Sequence, residues 1–205
     1  MKDESLLQLG KKFGKCGSWA LWDEDGKIEP FIQKRNFTSL IRPTIIFMGL
    51  NASRDLKEEV DWANYHSDLK YKKGRSWKKS SCRRLAEIIQ KEFPQFCGAY
   101  MTDIIKTEYH STSDKLKKFL KNNPDVSDKN KKLLEEEMNL LGKVLESDKL
   151  AVICMGNLSF DITNKMGTVG KNKIYQIPHY AMHGSDKEVR EKIRSGLKTL
   201  IETVN

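Results

Sequence analysis

The chain has 205 residues, 38% hydrophobic and 32% charged, and 37 Lys and Arg against 28 Asp and Glu give it a formal net charge of +9. That length suits one sizeable domain, and no apolar run approaches the roughly 20 residues of a bilayer-spanning helix, so a transmembrane segment is excluded. A surface of this sign attracts phosphates at long range, which makes nucleic acid a candidate partner.

Residues 1–12 read as a short helix or a loose terminus. The stretch "GSWALWDEDGKIEPF" alternates apolar and polar residues around Asp25-Gly26, a hairpin signal that places Trp19 and Leu21 at the core edge. Residues 1–42 thus form an N-terminal extension of a single domain spanning 1–205. Thr44–Met48 is β-branched and apolar, as in a buried strand, and turns polar through Gly49-Leu50-Asn51-Ala52-Ser53. Residues 54–79 are polar and carry Trp, Tyr and His, the composition of a functional loop. Their lysines are densest over Lys70–Lys79, beside Tyr71 and Trp77.

Ser81 is placed to cap a helix with Leu85, Ile88, Ile89 and Phe93 on its inner face, ending before Pro94. "GAYMTDIIK" (98–106) is a second strand. "HSTSD" opens a polar connection to a short helix over Lys115–Leu120, which "NNPDVSD" breaks. Asp128–Ser147 is a long helix with Leu134, Met138, Leu141 and Leu145 on one stripe. "KLAVICMG" (149–156) and "KIYQIP" (173–178) are the third and fourth strands. The last helix opens on the capping box Ser185-x-x-Glu188 and turns Val189, Ile193 and Leu197 inward, with Lys187, Arg190, Arg194 and Lys198 outward.

Buried strands alternating with helices predict an α/β fold: three layers, α/β/α, around a mainly parallel four-stranded sheet. Ligands on such sheets bind beyond the carboxyl ends of the strands. Gly49–Ser53, Asp103–Thr107 and His179–His183 are therefore the segments to watch.

Several chemistries lack their motifs. Gly167-Thr-Val-Gly170-Lys171 has neither the spacing nor the hydroxyl residue of a phosphate loop and reads as a turn. There is no HExxH and no GxSxG. His179 and His183 are flanked by Pro178 and Gly184, so they do not share a helix face, and no metal or other cofactor is expected. Cys16, Cys82, Cys97 and Cys154 include no CxxC pair, and no signal peptide is evident. They read as reduced thiols of a cytoplasmic protein, Cys154 in the core. Asn51 has a plain alternative, an Asx-turn, and His179 another, a satisfied structural histidine. Their occurrence together at strand ends of one sheet points to a site.

The order of these segments resembles the uracil-DNA glycosylase superfamily. Gly49-Leu50-Asn51-Ala52-Ser53 is similar to the family's first motif, Gly-x-Asn-Pro-Gly, and His179-Tyr180-Ala181 to its second, His-Pro-Ser. "YMTDIIK" resembles a central strand reading Ile-Thr-Asn-Val-Val-Lys. Ala52 and Tyr180 stand where the family has prolines, and Asp103 where it commonly has a base-reading Asn. The cysteines do not follow the iron–sulfur pattern of one branch, so no cluster is expected.

The resemblance implies a monomeric DNA glycosylase acting on a base flipped out of single- or double-stranded DNA. In that reading Asn51 orients a water and His179 stabilises the departing base. Gly49, Leu50, Trp77, Tyr65 and Asp103 form the base pocket, with Trp77 the first choice for stacking. Ser53, Arg54 and Lys106 hold phosphates, and Tyr180 or Met182 wedges into the duplex. For Asp103 three readings are open: protonated by burial, reading a base other than uracil, or structural. The rival functions are an inactive member of the fold that binds nucleic acid or a nucleotide, and an unrelated small-molecule enzyme.

Overall fold

In the computed structural model the residues described are 2–41, 44–53, 62, 64–67, 77–167 and 172–204. In chain order the main elements are α1 (Lys2–Phe13), β1 (Gly17–Trp19), the short helices α2 (Glu29–Ile32) and α3 (Phe37–Leu40), β2 (Ile45–Asn51), α4 (Cys82–Glu92), β3 (Tyr100–Ile105), α5 (Ser113–Asn122), α6 (Pro124–Leu145), β4 (Ala151–Met155), α7 (Asn157–Met166), β5 (Lys173–Ile177) and α8 (Asp186–Val204). The sheet runs β1-β3-β2-β4-β5. β3, β2, β4 and β5 are parallel, and β1 adds an antiparallel edge, Ser18 opposite Met101.

Alternation along the strands builds two cores. Ile46, Met48, Val152 and Cys154 face a layer made with α1, α6 and α7, including Leu9, Phe13, Leu134, Leu141 and Met166. Phe47, Met101, Ile153 and Met155 face α4 and α8, through Leu85, Ile88, Ile89, Val189, Ile193 and Leu197. The α/β class and the largely parallel sheet follow the sequence. The strand count does not: among the described residues there are five, because the N-terminal segment pairs with β3.

The expected hairpin around Asp25-Gly26 is half present. Gly17–Trp19 is a strand, but its second arm is replaced by an Asx-turn, in which Asp23 Oδ1 accepts from the N–H of Asp25 and Lys27, and by the helix at 29–32. Pro30, with its fixed φ and no N–H, suits the first turn of a helix and not a paired strand. Trp19 and Leu21 are buried in the core.

Pro124, read as a breaker, instead begins α6, where the missing N–H costs nothing. α7, not foreseen from the sequence, supplies the crossover that parallel β4 and β5 require. Gly156 opens it in place of a side-chain cap, and Gly167 closes it in the left-handed conformation. The expected turn at 168–171 lies outside the described residues. Ser81 makes no cap; Ser80 Oγ accepts the Cys82 N–H instead. The capping box of α8 forms as read: Ser185 Oγ accepts from Glu188 N–H, and Glu188 Oε2 from Ser185 N–H.

Two of the cations on the outward face of α8 are already held by carboxylates. Arg190 pairs with Asp186 and with Glu87 of α4, and Arg194 with Glu92. No described helix is long and apolar enough to cross a membrane.

Candidate functional site

Four parallel strands bring their carboxyl ends to one edge of the sheet, and the helices that follow point their N-termini at it. Between them lies a cleft of about 630 Å³. Asn51 enters it from the end of β2, Asp103 from β3, Gly156 from the end of β4 and His179 from just beyond β5. The rim is completed by Ser80–Cys82 before and in α4, His110–Ser113 at the start of α5, and Asn157–Ser159 in the first turn of α7. Helix N-termini leave N–H groups without intrahelical acceptors, so such a wall is rich in donors. A second cavity, about 650 Å³, opens at the opposite end of the strands between β4, β5 and the end of α8, with mainly apolar walls.

Asn51 is the last residue of β2 and not part of a glycine turn. Its amide nitrogen donates to the carbonyls of Ala52 (2.7 Å) and His110 (3.0 Å). Those two bonds fix the amide, so that Oδ1 is the atom of this cleft-lining side chain left to accept a hydrogen bond. His179 is half-buried and stacked on Tyr180, ring centroids 4.4 Å apart. Its Nδ1 accepts the backbone N–H of Ala181 at 3.0 Å. An accepting Nδ1 assigns the neutral tautomer with the proton on Nε2, a hydrogen-bond donor. Gly156, at φ +94°, keeps the backbone close: a Cβ there would lie 3.4 Å from His179 Cβ.

Asp103 is buried, and both its oxygens are engaged. Oδ1 lies 2.6 Å from the Tyr65 hydroxyl and Oδ2 accepts from Asn64 Nδ2 at 2.9 Å. Tyr65 Oη also lies 2.9 Å from the Thr102 carbonyl, and Asn64 also bonds the Cys16 carbonyl. Of the three readings of Asp103, this is the geometry of a structural carboxyl. The Tyr65 phenol is held well above its ordinary pKa by burial and then by the Asp103 charge. Gly49 has a corresponding role. It lies within β2, and a Cβ on it would collide with Asp103 Oδ1 and the Tyr65 hydroxyl. The glycine makes room for the clamp and not, as expected, for a ligand.

Other expected site residues are distributed unevenly. Leu50, Ser53, Tyr65, Tyr180 and Met182 line the cleft with Asn51, Asp103 and His179. Trp77 does not. It packs with the α4–α8 core beside Gly26, whose missing side chain admits the indole. Tyr65 is buried with its ring edge towards Tyr180. Tyr180 is itself buried and packed between Tyr65 and His179, so it is a wall and not a wedge. Met182 is only half-buried. Lys106, expected on phosphates, is buried in an ion pair with Glu137 of α6 at 2.5 Å, and its Nζ also donates to Thr102 Oγ1 and the Asp103 carbonyl. Burial alone would pull the Lys106 ammonium down, but the Glu137 carboxylate overrides it and holds the pKa above the ordinary value. The same enclosed surroundings push the Cys16 thiol up to about 12, burial being the main cause. Arg54 and Lys72 and Lys73 lie outside the described residues.

The Ser80-Ser81 rim, His110 to Ser113, and Gly156-Asn157 are cleft residues that the sequence does not single out. A signal existed for the last: Gly156-Asn157 follows β4 much as Gly49-Leu50-Asn51 ends β2. Among the described residues no Lys or Arg lines the cleft, and no cluster of three His, Cys, Asp or Glu is arranged to hold a metal. Compared with known proteins, the chain matches no family model and no curated relative.

Proposed function

We propose that the chain is a monofunctional DNA glycosylase of the uracil-DNA glycosylase-like fold, hydrolysing the N-glycosidic bond of a modified or deaminated base held in this cleft. The observation that carries the reading is the complementary hydrogen-bonding state of two cleft residues. Asn51 offers an oriented acceptor, and His179 offers a neutral donor.

The reaction needs both. A water held by Asn51 Oδ1 adds to C1′ as the bond from C1′ to the base nitrogen breaks. The bonding electron pair leaves with the base, and negative charge builds on the ring and its carbonyl oxygens. A hydrogen bond from His179 Nε2–H, with N–H groups from the adjoining helix starts, stabilises that charge more in the transition state than in the substrate. The water proton is released and the base anion is protonated in turn. The products are a free base and an abasic sugar bearing a C1′ hydroxyl. No cofactor enters these steps.

A second reading, a binding protein of the same fold, is favoured by one observation. Asp103, a carboxylate on the cleft wall, is committed to Tyr65 and Asn64, so it is not placed to activate water. Turnover separates the two. Oligonucleotides carrying uracil and a panel of damaged bases, single- and double-stranded, are incubated with the protein and cleaved with alkali at abasic sites. Strand scission lost in Asn51→Ala and reduced in His179→Ala supports the glycosylase. Tight binding with no scission on any substrate supports the second reading.

A further inference from the structure

The charge on α5 is one-sided. Leu116 is fully buried, and Phe119 and Leu120 are half-buried on the same side. At 100° per residue, Lys115, Lys117, Lys118 and Lys121 fall on the opposite arc. All four are exposed, and none has an ion-pair or hydrogen-bond partner through its ammonium group among the described residues. That contrasts with α8, whose Arg190 and Arg194 are held by carboxylates of α4. Asp114 is the helix's one acid.

The position of α5 gives the charge a purpose. Its first turn, Thr112 and Ser113, lies on the cleft rim, and the His110 carbonyl just before it holds the amide of Asn51. From Thr112 to Lys121 the helix rises about 13 Å, so the lysines extend outwards from the rim. On the other side of the cleft, exposed Lys78 and Lys79 precede the Ser80-Ser81 rim.

We infer that the lysine face of α5 is a phosphate-tracking surface that grips the nucleic acid strand on one flank of the nucleotide entering the cleft. The inference rests on the proposed action at that cleft. Because α5 is tied through His110 to Asn51, a strand held along it is set in register with the reacting position. Exposed lysines on a flexible stem suit phosphates, which need charge and not a fixed geometry.

The test uses the full chain and a fluorescent single-stranded oligonucleotide of normal bases, so that it reads backbone contacts and not catalysis. Affinity is measured by anisotropy between low and moderate KCl for wild type, for Lys115, Lys117, Lys118 and Lys121 all changed to Gln, and for a control with Lys143, Lys149, Lys173 and Lys198 changed to Gln. The control removes equal charge at the amino ends of the strands or beyond them. Each lost phosphate contact should flatten the plot of log affinity against log salt by about 0.7. We expect the α5 variant to be flatter by about 2–3 and the control to change by less than about 1. Circular dichroism confirms that α5 variants are folded. Equal flattening in both variants, an unchanged slope in the α5 variant, no binding by wild type at low salt, or binding to anionic lipid vesicles in place of the oligonucleotide would each overturn the inference. Flattening with no base excision by wild type would leave the surface standing and remove the glycosylase reading alone.

Discussion

Gly49→Ala is the sharpest probe of the site's architecture. The added methyl lands on the Asp103–Tyr65 pair, in the middle of a strand whose neighbours on both sides are buried. The backbone is ordinary there, so alanine carries no conformational strain and would in isolation favour a strand by ~0.5–1 kcal/mol. Against that, the methyl must break the 2.6 Å contact between Tyr65 and Asp103, a bond to a charged or strongly polar buried group worth about 1.5–3 kcal/mol. Overpacking a close-packed interior adds roughly 1–3 kcal/mol. The net is a destabilisation of ~1.5–5.5 kcal/mol, and for a chain of this length that is a fall in Tm of roughly 3–22 °C. Urea and thermal unfolding followed by tryptophan fluorescence would measure it. The same substitution should then be made in a Tyr65→Phe, Asp103→Ala background, where the colliding atoms are gone. If the reasoning is right, the cost there drops by more than half. An equal cost in both backgrounds, or a change under about 0.5 kcal/mol in the wild type, refutes it.

Asp103→Asn should be tolerated within about 1 kcal/mol. The new amide can donate to Tyr65 Oη, which passes its own hydrogen to the Thr102 carbonyl, while the remaining oxygen accepts from Asn64. Asp103→Ala, which strands both partners, should cost about 2–4 kcal/mol, and equal damage by the two would show the hydrogen assignment to be wrong. Lys106→Met and Glu137→Gln should each cost about 3–5 kcal/mol, because each leaves a buried charge unpaired, and the double variant should cost clearly less than their sum; additive losses in a double-mutant cycle would contradict the pairing. Asp186 and Glu92 are held below the ordinary carboxylate range, Asp186 by hydrogen bonds from Arg190 and Arg84 and Glu92 by Arg194. Their folded pKa values are depressed, so their contribution is present at neutral pH and is lost as pH falls through the ordinary carboxylate range and below. The destabilisation caused by Arg190→Ala should accordingly be constant above about pH 5 and shrink below about pH 4, and a pH-independent difference would count against these pairs.

The strands were legible because burial on both sides writes itself as a continuous apolar run: Ile45–Met48, Ala151–Met155 and the segment around Ile104 could be little else. The long helices were legible for a related reason, a stripe of Leu and Met every three or four residues in α6. α7 was not. It is ten residues long, it begins without a Ser, Thr, Asp or Asn cap, and its Ile162 and Thr163 read equally well as strand. The site shows the same division. Strand ends can be found from the sequence, so Asn51 and His179 could be singled out. Tyr65 could be placed in the same pocket as Asp103, but not its bond to that carboxyl, and Asn64 could not be placed at all, because both arrive from a distant loop and nothing local marks the pairing. Lys106 misled for a physical reason: a lysine after a strand looks solvated until a glutamate thirty-one residues later, Glu137, is seen to face it across the core.

The N-terminal segment is bound almost entirely by residues made much later. β1 pairs with β3, and α1 packs on α6, where Lys12 meets Glu136. A ribosome adding about 5–20 residues per second needs roughly 4–16 s to proceed from Trp19 to Tyr100, and longer to complete α6. Throughout that interval Leu9, Phe13 and Trp19, all destined for the core, have no finished surface to join. A nascent chain of this design presents these apolar side chains to the cell well before it can bury them. Its yield on synthesis should therefore respond to chaperones that hold exposed apolar segments of nascent chains, and a permuted chain in which α1 and β1 are made after α6 should depend on them less.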